Sequence, residues 1–160
     1  MFKKTNNIIL IFLLFIISAS LIATFIIQYG LGHQPCKLCI YQRIPYILSI
    51  FLIIELIFFK RNEKNTLLLL SLIFIISVIL AFYHFGIEQG FFTESFVCEG
   101  TSFSETLTKD QLLEQLKQNT ISCKDVSFKV LGLSLASINV IFSLVLSVIF
   151  LKLFLNYAKN

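Results

Sequence analysis

Four stretches of this chain are apolar for as long as a bilayer is thick, and that decides what kind of object it folds into. A hydrocarbon core of roughly 30 Å takes about 20 residues of helix. Residues 8–27, 39–59, 67–85 and 130–155 each reach that length. Their apolar residues run continuously instead of alternating, which selects helices over barrel strands. Of the 160 residues, 57% are hydrophobic and 14% charged, against about 25% charged in soluble domains. A compact chain this short has too little interior to hide that surplus from water. The reading is an all-α integral membrane protein, a four-transmembrane-helix bundle in a single domain over residues 1–160. A soluble enzyme core, a disordered chain and a collagen-like repeat are excluded.

The first stretch has a signal-peptide flavour, with Lys3 and Lys4 before it and Ser18-Ala19-Ser20 resembling a cleavage site. The apolar run continues for seven residues beyond Ser20, too long for such a leader, so it reads as a retained span. The net charge of +4 forms no basic stripe, so no nucleic-acid partner is implied. It carries topology instead: Lys3, Lys4, Lys60, Arg61, Lys64, Lys152 and Lys159 fall on one side of a four-span chain. The positive-inside rule makes that side the cytoplasm. Both termini are then inside, with a basic cytoplasmic turn at 60–66. The loops 28–38 and 86–129 are external, and the long one is acidic. Tyr29, Tyr41, Tyr46 and Tyr83 read as interfacial aromatics near helix ends, and Asn139 as a helix–helix hydrogen bond.

This orientation puts all four cysteines outside, on the oxidising side where disulfides persist. Cys36 and Cys39 form a Cys-x-x-Cys in the first external loop, and Cys98 and Cys123 lie in the second. Cys-x-x-Cys is a redox or metal motif. Pro35 is favoured at a first helical position, so the pair reads as the N-terminus of the second helix at the membrane surface. Backbone N–H groups and the helix dipole there lower a thiol pKa. Lys37 adds a second cation beside the pair and is expected to favour the thiolate further. Arg43, one turn beyond Cys39, sits about 6 Å deeper. It costs roughly 2–3 kcal/mol at a bilayer centre and less near the interface. A function accounts for it: a fixed cation beside the thiols, able to stabilise a Cys39 thiolate and the reduced oxygen of an electron acceptor. The alternative is an arginine that snorkels to headgroup phosphates.

Zinc wants four ligands at compact spacing. Cys98 and Cys123 are 25 residues apart and His33 and His84 stand alone in sequence, so no metal site is expected. His84, at the outer end of the third span, is a candidate proton carrier or ligand contact. In the long loop, Thr108-Lys109-Asp110-Gln111 fits a capping box. Leu112, Leu113 and Leu116 follow at helical spacing, predicting a short amphipathic helix on the membrane surface.

Pro35-Cys36-Lys37-Leu38-Cys39-Ile40-Tyr41-Gln42-Arg43, the four spans and the second cysteine pair together resemble the DsbB family, with Tyr83-His84 as weaker support. The absence of Trp leaves any interfacial Trp role to Tyr or Phe. The resemblance implies a bacterial inner-membrane protein-dithiol:quinone oxidoreductase with redox disulfides Cys36–Cys39 and Cys98–Cys123. A DsbA-like, thioredoxin-fold thiol oxidase in the periplasm would attack the loop disulfide at Cys98. Cys123 would attack Cys36, and Cys39 would pass electrons to a quinone, ubiquinone or menaquinone, held near Arg43 and His84. The competing reading is a non-catalytic four-helix membrane scaffold stapled by two structural disulfides. A less favoured one is a reductase of quinone-like substrates resembling the vitamin K epoxide reductase group.

Overall fold

A computed structural model of the chain describes residues 7–59, 62–93, 98, 123–124, 129–130 and 132–159. Helix α1 is Asn7–Phe25 and runs on as a π-helical turn, Ile26–Gly30. The short α2, Lys37–Tyr41, leads into α3, Arg43–Phe58. Helix α4 is Glu63–Glu88. A two-residue antiparallel ladder pairs β1, Lys129–Val130, with β2, Leu133–Ser134, and α5 is Leu135–Lys159. Among the described residues, four spans are long and apolar enough to cross a membrane: Asn7–Gly30, Lys37–Phe58, Glu63–Glu88 and Leu135–Lys159. The chain is a multi-pass, all-α membrane protein, as its apolar blocks predict. The predicted amphipathic helix over 108–116 lies outside the described residues.

The span ends shift for local reasons. The fourth helix starts at Leu135, not near Val130, because Gly132 turns the chain with φ +82° between β1 and β2. Ser134 then caps α5, its Oγ accepting from Ser137 N at 3.2 Å. The basic turn is shorter than 60–66: Asn62 takes a left-handed φ of 59° and α4 begins at Glu63. The second span is divided at Gln42 because Pro45 lacks the N–H that would bond the Tyr41 carbonyl.

The core draws on every span. Leu10, Leu13, Ile17 and Leu21 of α1 are buried at helical spacing against Tyr46, Ile53 and Leu56 of α3. Leu67, Leu70 and Phe74 of α4 and Leu146 and Phe150 of α5 complete it. Phe74 stacks on Phe150 at 5.5 Å between centroids and meets the Tyr46 ring edge-on at 5.7 Å. Lipid tails are as apolar as leucine, so close packing and polar contacts hold such helices together. Ser49, Ser77 and Ser143 are fully buried between them, while Ile8, Phe12, Phe15 and Phe51 face outward into what is lipid.

Candidate redox centre

Cys36 is the N-cap of α2 and Cys39 its third residue, so Pro35 stands just before the cap, two positions earlier than its preference for the first helical residue suggests. One helical turn brings the two sulfurs to 3.0 Å, as free thiols. Cys39 N–H points at Cys36 Sγ at 3.4 Å, and His84 Nε2 of α4 lies 3.5 Å from the same sulfur. Donors therefore converge on Cys36, which accepts from the Cys39 thiol as well and carries the negative charge. The Cys39 hydrogen bond is the main cause that holds Cys36 down to about 4; burial opposes it and His84 assists. Lys37 is exposed and is not among the groups that lower it.

Cys98 and Cys123 are joined by a disulfide, with Cα atoms 5.6 Å apart. Both are buried in one apolar cluster with Cys36, Leu38 and Ile87, against which Cys39 and Tyr83 pack. Fifty-nine residues of sequence separate Cys39 from Cys98, yet all four sulfurs occupy one neighbourhood.

On its membrane side Cys39 enters the wall of a cavity of about 380 Å3 between α1, the loop before α2, α3 and α5. The wall is mainly apolar, including Leu21, Ile27, Ile138 and Phe142. Ser20 and Thr24 also line it, but their hydroxyls donate to the Ile17 and Leu21 carbonyls of their own helix and so add little polarity. Polar side chains in the wall include Gln28, Gln42, Arg43 and Asn139. Arg43 does not snorkel. Its Nη1 donates to Gln28 Oε1 at 2.6 Å and its guanidinium lies 4.9 Å over the Phe25 ring. Gln28 is available because the π-turn extends α1 past residue 27, and such turns recur at functional sites.

His84 does not line the cavity. It stands one residue behind the wall, its Nδ1 3.1 Å from Gln42 Nε2. Asn139 Nδ2 donates to Gln42 Oε1 at 2.7 Å, and Tyr46 OH donates to Asn139 Oδ1. Tyr46 is thus a buried core residue and not part of an interfacial belt, whereas Tyr29 and Tyr41 are exposed. The lone His84 of the sequence is brought to the cysteine pair: the donor atoms of Cys36, Cys39 and His84 lie within 4.8 Å of one another, which among the described residues is one short of the four in a structural zinc site.

Residues 6–153 match the model of the family described as disulfide bond formation protein DsbB. The chain belongs to the DsbB family. An uncharacterized protein of Rickettsia prowazekii (strain Madrid E) is 30% identical over 161 residues, covering 99% of this chain and 93% of the relative. DsbB membership makes the chain a disulfide-generating membrane oxidoreductase in general terms, and DsbB proteins use quinones. Sequence reasoning passed over Gln28, Gln42 and Tyr46 as site residues. The available signal was two glutamines at the outer ends of otherwise apolar spans, where an unpaired amide is costly.

Proposed function

We propose that this chain reoxidises a periplasmic thioredoxin-like thiol oxidase and passes the electrons to a membrane quinone. The carrying observation is the position of Cys39, which packs against the cluster of the other three sulfurs and lines the apolar cavity beside Arg43. An aqueous protein substrate and a lipid-soluble oxidant cannot meet, and such a position couples the two.

The partner's dithiol attacks the Cys98–Cys123 disulfide, once Cys98 is uncovered, and leaves as a disulfide with two electrons transferred. The resulting Cys123 thiolate attacks Cys36 of an oxidised Cys36–Cys39 pair, and Cys39 departs as a thiolate. Cys98 then attacks Cys123, re-forming the loop disulfide and leaving Cys36 and Cys39 reduced. The reaction sequence ends with the loop disulfide closed and the inner pair as thiols. A low-pKa Cys36 stabilises the reduced pair, which makes its disulfide a good electron acceptor.

The cavity residues fit a quinone: apolar walls take a ring and tail, and Arg43, with five N–H donors, has one bonded to Gln28. When bound, quinone supplies the two-electron oxidant that returns the pair to a disulfide. Arg43 orients and steadies negative charge on its oxygen, and the wall keeps water from Cys39. The same positions, with the cysteines on the periplasmic face, support an inner-membrane protein whose termini are cytoplasmic.

The test mixes purified protein, a reduced thioredoxin-like oxidase and a soluble ubiquinone or menaquinone analogue, and follows quinone reduction. Wild type turns over and Cys39→Ser does not. Equal rates would refute the mechanism and favour a scaffold with static disulfides.

A further inference from the structure

A buried chain of hydrogen bonds leads from the bundle interior to Cys36, and its direction can be read. The Leu80 carbonyl can only accept, and Gln42 Nε2 reaches it at 3.5 Å. The group facing it is therefore the Gln42 amide nitrogen. The same nitrogen faces His84 Nδ1, so Nδ1 must accept. Two acceptors face the other ring nitrogen: Cys36 Sγ at 3.5 Å and Glu88 Oε1 at 3.7 Å. The ring proton belongs on Nε2.

The far end of the chain holds Gln42 in this sense. Asn139 Nδ2 donates to Gln42 Oε1, which turns the Asn139 oxygen toward the Tyr46 and Ser143 hydroxyls. Ser77 closes the chain on Ser143 at 3.0 Å. Gln42, His84, Ser77 and Ser143 are all buried, and a reversed Gln42 amide would face donor to donor at Asn139 and acceptor to acceptor at the Leu80 carbonyl, a costly arrangement away from water.

We propose that Gln42, fixed by Asn139, is a positioning residue that locks His84 in its Nε2–H tautomer and so aims a hydrogen-bond donor at Cys36. This rests on Cys36 being the sulfur that exchanges. Gln42 touches neither sulfur; it acts through the ring. Among the described residues, the titratable and charged groups around Cys36 are Cys39 and Lys37 of α2, and His84, Glu88 and Tyr83 of α4. Of these, only His84 has its donor set by a second residue. A leaving thiolate at Cys36 is favoured by each donor aimed at it, so the device serves the exchange step, while Gln42 and Asn139 also line the cavity.

The experiment uses full-length protein in detergent, reduced with a small dithiol and without quinone. His33→Gln leaves His84 as the sole histidine, and 15N shifts then report each ring nitrogen. The expected spectrum has Nδ1 of the unprotonated type and Nε2 of the protonated type; the reverse assignment overturns the proposal without any further variant. The thiolate ultraviolet absorbance is titrated in parallel. Gln42→Leu is expected to mix the tautomers and raise the Cys36 midpoint by about one pH unit, the scale of one hydrogen bond. Gln42→Glu is expected to restore a low midpoint, because its carboxylate accepts from a protonated Nδ1 while Nε2–H still donates. An unchanged midpoint and tautomer in folded Gln42→Leu overturn the proposal. Neither readout involves quinone, so a wild type that fails to turn over contradicts the proposed function and leaves the tautomer result standing.

Discussion

Arg43 illustrates how a costly residue is accommodated. A guanidinium at the bilayer centre costs about 2.5–3.5 kcal/mol, less near the interface. A charged hydrogen bond returns about 1.5–3 kcal/mol and an arene face about 0.5–2. The Gln28 and Phe25 contacts therefore balance the burial, and the cation stays at the cavity instead of seeking headgroups. Arg43→Ala is expected to raise the apparent KM for quinone about 10- to 100-fold, with Arg43→Lys in between. Steady-state assays across quinone concentrations check this, and an unchanged KM would remove Arg43 from the site. At Cys36 the sign follows from a thiol held down to about 4: the thiolate is present above that pH and is lost as pH falls through it. Alkylation of the reduced pair should be nearly flat from about pH 6 to 8, and Lys37→Ala should not change it. A rise through pH 8–9 would show an ordinary thiol. The cysteines and Arg43 were legible because each violates its surroundings in sequence. The Gln42–His84 contact was not, because 42 residues separate them and only the packing of α4 on the second span brings them together.

Apolar blocks set the number of helices, but their ends were decided by single residues that a hydropathy reading does not weigh. Pro45 splits the second span at Gln42, Gly132 and Ser134 delay α5 to Leu135, and a π-turn carries α1 to Gly30. The last of these hid Gln28 inside a presumed loop. At the outer end of α4, Phe91 and Phe92 N–H groups both bond the Gly86 carbonyl, and the Phe92 ring stacks on Tyr83 at 5.7 Å. A Cβ at Gly86 would lie 2.1 Å from that ring. Gly86→Ala is expected to displace Phe92 from Tyr83, which packs on the sulfur cluster, and to destabilise by about 1–3 kcal/mol. Thermal unfolding in detergent tests this through a double-mutant comparison: the cost should largely vanish in a Phe92→Ala background. An equal cost in both backgrounds would mean the ring is not the obstacle.

For the molecule as a whole, the bundle sets two compartments on either side of one sulfur cluster. Alternating spans put Lys64, at the start of α4, at the same end as Lys152 and Lys159 of α5. The positive-inside rule then predicts cytoplasmic termini. A fluorescent protein fused after Asn160 should light up, and alkaline phosphatase fused there should stay inactive; the opposite pattern would invert the topology. The central claim concerns the handover itself, that electrons cross between the two pairs at Cys36. The most direct measurement uses a Cys39→Ser, Cys98→Ser protein, in which neither competing thiol can resolve the exchange. After oxidation, disulfide mapping by mass spectrometry should find Cys36 joined to Cys123 within one chain. Two unlinked thiols under the same conditions, in a folded protein, would contradict the account.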